Sequence, residues 1–231
     1  MTAVLRRRSA ILVLMAALVT ALWPVCKAAI ASLYYFPASH ALEQWQQSPD
    51  KPAETALNDA QQQIAAALHW QPENPHYQLV AAKIAEWAWY GGVLTTAAIS
   101  HNEKIYQHAI ALRPHWPVAY ADYGYFLATV QQRLSDAWQQ FALAERYGPY
   151  LPDVHKKILQ VAFANWPELT VAQKATVFQR VANAMGGPLQ ADTIKIIQRY
   201  QQQRQQCIYL RKKLADKPVW PEISPRLCPA E

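Results

Sequence analysis

Residues 120–149 read YADYGYFLATVQQRLSDAWQQFALAERYGP, and this stretch decides the fold. Its first half places Tyr120, Tyr123, Gly124 and Leu127 in the order large, large, small, large. Its second half places Ala137, Phe141 and Ala144 ahead of Pro149. Spacings of three and four put each set on one face of a helix. Small residues there let two backbones approach closely, and a proline just past the last turn cannot continue the helix it follows. The stretch therefore reads as a helical hairpin. The same ending occurs twice upstream, where Ala60, Ile64 and Ala67 close at Pro72, and Tyr106, Ala109 and Leu112 close at Pro114.

Working outward, periodicity predicts helices over 34–45, 53–70, 76–89, 95–112, 118–132, 135–147, 152–165, 171–184 and 192–214. Ser48-Pro49-Asp50-Lys51-Pro52 ends the first of these, and Gly91 with Gly92 stops the third. A break is expected near Ser100-His101-Asn102, with Ser100 or Asn102 as cap, and Ser135 and Asp192 are candidate N-caps further on. Trp116-Pro117, Trp166-Pro167 and Trp220-Pro221 look like helix starts. Glycine is scarce, and alternating runs of Val, Ile and Thr are absent. The expectation is an all-α chain: a short, irregular solenoid of helical hairpins behind an N-terminal membrane or signal segment.

That segment occupies residues 1–31. Arg6, Arg7 and Arg8 precede an apolar run from Ala10 to Leu22 that continues to Cys26 before Lys27. The length lies between a signal peptide and a membrane span of about 20 residues. Ala29-Ile30-Ala31 offers a small-residue cleavage site, so the segment reads as either a cleaved signal or a retained inner-membrane anchor. In both cases the arginines stay cytoplasmic and the rest is exported to the periplasm. Cys207 and Cys228 suit an oxidising compartment. Pro218, Pro221 and Pro225 are expected to keep the tail extended, so that it runs back along the last helix and brings the two sulfurs together. The resulting organisation is 1–31 targeting segment, 32–194 repeat domain, and 195–231 capping helix with a proline-rich tail.

The formal net charge of +6 is concentrated at the ends. The first 31 residues hold four basic side chains and no acidic one, which leaves +2 for the remainder. Between Lys195 and Lys217 seven basic residues face Asp216 alone. Arg211, Lys212 and Lys213 complement a helix C-terminus, which is the simpler reading than an anionic ligand. A near-neutral body and an exported location argue against nucleic acid.

The hairpin over 120–149 resembles a tetratricopeptide repeat in its large, large, small, large and small, large, small, proline positions. A second unit, with Tyr77, Val80, Ala81 and Ile84 followed by Tyr106, Ala109 and Pro114, departs from the 34-residue period at the longer turn Trp87 to Thr96. The unit ending at Pro72 shows only its second helix. More narrowly, several features together are similar to the VpsP-type polysaccharide-biosynthesis family. They are the arginine-flanked apolar segment, Tyr34-Tyr35, Ala109-Ile110-Ala111-Leu112-Arg113-Pro114-His115-Trp116-Pro117, Gly148-Pro149 and Asn165-Trp166-Pro167. The resemblance implies an accessory role in bacterial exopolysaccharide synthesis or export, with protein components of that machinery, or a glycan, as partners. Its motifs are turns and carry no catalytic residue.

No nucleophile elbow, phosphate-binding loop or zinc helix is present in the sequence. His101, His108 and His115 are spaced by seven, but Pro114 interrupts the series, so a structural role is expected and no metal or other cofactor. Glu86 and Glu103 flank the inserted turn beside aromatic residues, the arrangement a glycan hydrolase would need. They are equally what a helix meeting a loop provides, so the chain reads as non-enzymatic. Flat rings with polar edges suit sugar faces and protein interfaces. Tyr120 and Tyr123 belong to the core by their repeat positions. Trp87, Trp89, Tyr90 and Tyr125 are the binding candidates, with Trp89, Tyr90 and Tyr125 freer to point into the concave groove that stacked hairpins create. An envelope-assembly adaptor binding peptides in that groove, unrelated to polysaccharide, is the other reading.

Overall fold

A computed structural model describes residues 2–47 and 50–228, with side chains from residue 11 onward. The chain is all-α, and no strand occurs among the described residues. It divides into two compact units, Met1–Pro114 and His115–Glu231.

The first unit begins with α1, a single helix over Thr2–Gln47 that passes Pro24 and Pro37 without ending. The helix expected over 34–45 is therefore the last part of a much longer rod. Ser48 and Pro49, expected to end it, lie outside the described residues. Helices α2 (Glu54–Trp70), α3 (Pro75–Gly91), α4 (Thr96–Ile99) and α5 (Asn102–Leu112) follow. α1 packs on α2, α2 on α3, and α3 on α5. Ala31, Ala38, Leu42 and Trp45 on one face of α1 share a core with Leu57, Ile64, Tyr77, Ile84 and Ala88.

Local chemistry sets the ends of these helices. Asn74 caps α3 by accepting from the backbone N–H of His76 at 3.0 Å and of Tyr77 at 3.4 Å, ahead of Pro75 in the first turn. Gly92 stops α3 in the left-handed region at φ 85°, where a side chain would be strained. The break before α5 is where the sequence places it, but its expected caps do other work. Ser100 Oγ donates back to Ala97 O at 2.6 Å. Asn102 is buried and donates to Ala82 O at 2.9 Å, tying α5 to α3. Thr95, not either of these, caps the short α4.

The second unit contains α6 (Pro117–Thr129), α7 (Leu134–Tyr147), α8 (Pro152–Ala164), a 3-10 turn at Trp166–Glu168, α9 (Val171–Ala184), α10 (Gln190–Arg199), α11 (Gln203–Leu214) and α12 (Trp220–Leu227). α6 and α7 form its most extensive pair. Gly124 makes that closeness possible, because a Cβ there would fall 2.7 Å from Phe141 Cε1. Tyr120 and Tyr123 are buried, as their repeat positions predict. Each of the three Trp-Pro pairs stands at a helix start.

Four expectations are corrected here. Ser135 is not an N-cap; α7 starts at Leu134, behind a turn with Gln132 at φ 55°. Asp192 is not one either, because α10 starts two residues earlier. The helix expected over 192–214 is two helices, broken at Gln201 with φ 55°. The tail is not extended: it folds as α12 and packs on α10 and α11. Cys207 and Cys228 are joined, with Cα atoms 5.2 Å apart, at the end of that helix.

The expected boundaries 31/32 and 194/195 lie inside α1 and α10. α1 runs through the first without interruption. Across the second, Ile194, Ile197, Leu210, Ile223 and Leu227 bury in one cluster with Leu159, Phe163, Val177 and Val181. The C-terminal helices are thus part of the second core, since their apolar faces have no other place to leave water.

Candidate functional site

In the first unit the sequence candidates gather at the end of α3. Trp87 packs against the core and lies 6.1 Å from the Trp45 ring, so it is half committed to packing. Its ring meets Tyr90 edge-on at 5.6 Å. Trp89 Nε1 donates to Thr96 Oγ1 at 3.4 Å, across the inserted turn. Tyr90 is exposed, and Lys51 Nζ sits 5.0 Å from its ring centre. Beside it Pro52, Glu54, Leu57 and Gly91 to Val93 line a recess of about 280 Å³. Tyr125 lies on α6 in the second unit, so the four rings form no single platform within either unit.

The two carboxylates of the hydrolase reading do not stand as an open pair. Glu86 accepts a hydrogen bond from the hydroxyl of Tyr106, which is fully buried. Glu103 occupies the first turn of α5, where a carboxylate complements the helix N-terminus. His101, His108 and His115 are all exposed, and no group of three metal-binding side chains occurs among the described residues.

The second unit holds a polar arrangement that local motifs do not announce. His155 on α8 is buried, at an inward-facing position with Ile158, Leu159 and Ala162. Its Nε2 lies 2.8 Å from Thr193 Oγ1 on α10. Thr193 donates its own proton to Leu189 O at 2.7 Å, so it accepts from His155 and fixes the proton on Nε2. Nδ1 then accepts from Arg180 Nη1 on α9 at 3.4 Å. Arg180 Nη2 in turn donates to Glu145 on α7. A directed chain of hydrogen bonds thereby joins one residue from each of four helices.

Burial sets the charge states. The Arg180 side chain is only 9% exposed. Burial lowers its pKa to about 10, which leaves it charged at neutral pH and balanced by Glu145. Burial pushes the His155 imidazole down to about 4, against the opposing pull of the Asp192 carboxylate, so it is neutral. A cleft of about 540 Å³ opens over this floor. Thr176, Gln179 and Asn183 line it from one face of α9, and Tyr150, 86% exposed, stands among its lining residues. Gln179 Nε2 donates to Asn183 Oδ1 at 2.7 Å, which orders the wall. The cleft presents amides, a hydroxyl and a ring over a balanced charge pair. That set supplies hydrogen-bond donors and acceptors of the kind that suit hydroxyls and peptide groups.

In sequence Glu145, Arg180 and Thr193 stand 10, 25 and 38 positions from His155, too far apart for motif reading. The only local signal is a histidine on the apolar face of α8. In comparisons with known proteins, no family model, no curated protein and no solved structure matches this chain. The likeness to the polysaccharide-biosynthesis family accordingly rests on the quoted sequence features alone.

Proposed function

We propose that this chain is a non-enzymatic scaffold, held at the inner membrane by the first part of α1 and placed in the periplasm, where it assists exopolysaccharide synthesis or export. The observation that carries the reading is the continuity of α1. Residues from Ile11 onward are long and apolar enough to cross a membrane, and the same helix supplies Ala31, Ala38, Leu42 and Trp45 to the first core. A scaffold anchored by one of its own structural helices needs no linker. The arginines ahead of the apolar run orient it, and the bridge between Cys207 and Cys228 accords with an oxidising compartment. The connection to polysaccharide comes from the motif resemblance. The balanced, hydrogen-bonding cleft over Arg180 supports docking of a glycan or a partner segment rather than chemistry on it.

A clean deletion is expected to lower surface polysaccharide while sugar-nucleotide pools stay constant, and unchanged polymer output would overturn the polysaccharide reading. Purified chain is expected to leave the polymer intact. Hydrolysis that vanishes in both Glu86→Gln and Glu103→Gln would establish an enzyme instead. A C-terminal phosphatase fusion is expected to be active only through export, and activity confined to the cytosol would remove the periplasmic placement.

A further inference from the structure

We infer that the first unit is seated in the membrane interface, with lipid covering the outer face of α1 as far as Phe36. The inference rests on the anchor reading above and extends it. From Lys27 onward α1 has two faces. One is buried through Ala31, Ala38, Leu42 and Trp45. The other stays exposed yet remains apolar through Ala29, Leu33 and Phe36, in line with Leu22 before them, at spacings of seven, four and three that form one stripe. Leu33 is 73% and Phe36 66% exposed. One turn later the same stripe becomes polar, with His40, Glu43, Gln44 and Gln47. Soluble helices do not keep a wet apolar stripe beside a filled core without a partner for it.

Length identifies that partner. From residue 8, the last arginine of the cluster, to residue 36 the helix rises about 42 Å at 1.5 Å per residue. A bilayer with its headgroup layers measures roughly 40–45 Å, so a helix whose arginines sit in one headgroup layer brings Phe36 to the other. The neighbouring helices agree with this depth. Tyr35 stacks on Tyr77 at 4.6 Å near the start of α3, and Trp45 meets Trp87 near its end, so α3 runs alongside α1 in the same direction. The Gln71–Asn74 turn, with Trp70 before it, therefore lies on the side of the apolar segment. Arg113, at the end of α5, reaches the same rim, 3.3 Å from His76 Nε2. Trp70 and Arg113, with Glu73 as the opposing charge, form a rim suited to headgroups.

The test uses the full-length chain in phospholipid vesicles, with Cys26→Ser and single cysteines at Leu18, Phe36 or Gln44, probed with a membrane-impermeant maleimide. Leu18→Cys and Phe36→Cys are expected to lose most of their labelling, Gln44→Cys to label fully, and all three to react in denaturant. A fluorophore on Phe36→Cys is expected to be quenched by brominated lipid. Full labelling at position 36 with protection at 18 overturns the inference and leaves the anchor standing. Labelling at 18 removes the anchor, and this inference with it. Protection at 36 without quenching shows cover by protein and overturns it as well.

Discussion

The two units exclude water from similar all-α cores, but they are fastened differently. The first relies on rings and small side chains: Tyr35 on Tyr77, Trp45 beside Trp87, and alanines where helices approach. The second adds buried charge to its apolar cluster. The Asp122 carboxylate, almost wholly buried, pairs with Lys157. The chain from Glu145 through Arg180 and His155 to Thr193 joins four helices, and a covalent bridge fixes α12 to α11. Apolar packing tolerates changes of pH and redox state, whereas ion pairs and disulfides respond to both. The second unit should therefore respond to both acid and reductant, and the first, whose ionisable contacts include the Glu86–Tyr106 bond and a His76 held below its usual pKa by burial, more weakly.

The sharpest way to break this contrast is Arg180→Met. Removing one partner of a fully buried pair costs about 3–5 kcal/mol, but Glu145, the charge left behind, is 32% exposed and reaches water, so the cost here falls below that range. Peptide-resolved hydrogen exchange is expected to show α7 to α10 opening while α2 and α3 keep their protection. Equal opening in both units would erase the distinction.

Replacing Cys207 and Cys228 by serine removes a constraint worth about 3 kcal/mol for a loop of this size. The expected change is lost protection in α10 to α12, with the first unit unmoved, followed by exchange with and without reductant.

Acid supplies the third test. His155 is held well below its usual pKa, so the unfolded chain binds its proton first as pH falls. Its contribution is complete above pH 6.5 and is lost as pH drops toward 4, by up to about 3 kcal/mol. Thermal midpoints of second-unit probes should follow that slope, and His155→Gln should flatten it. The smallest effect belongs to the first unit. Asn74→Ala removes the cap of α3 and is expected to cost about 1 kcal/mol there, independent of pH above neutrality. Calorimetry of the variant checks it.

Helix-ending prolines, Trp-Pro starts and the small residue at Gly124 made the all-α class and most helix positions legible from sequence, because each acts within one turn of its own backbone. Three features were hidden for a common reason. α1 continues through Pro24 and Pro37, where local rules would stop a helix at proline. The break at Gln201 sits in a run of glutamines with no breaker, so packing of Ile196, Ile197 and Leu210 sets it. The tail is short and rich in proline, yet Ile223 and Leu227 draw it into a helix by burial. The same applies to the site. Trp87, Trp89 and Tyr90 were visible as an aromatic cluster, but Lys51, Thr96 and Trp45 already engage them. Glu145, His155, Arg180 and Thr193 meet only through the fold, and no spacing in the chain foretells that meeting.

The absence of any loop between the apolar part of α1 and the first core has a mechanical meaning. A helix without a linker has no free swivel, so, with its apolar part in a bilayer as proposed, tilt or rotation imposed there turns the body attached to it. In the membrane-anchored reading proposed above, a neighbour gripping the apolar length would in this way turn the first unit without touching it. Three glycines inserted after Ile30 would provide the missing pivot, and such a chain should stay folded while losing that transmission.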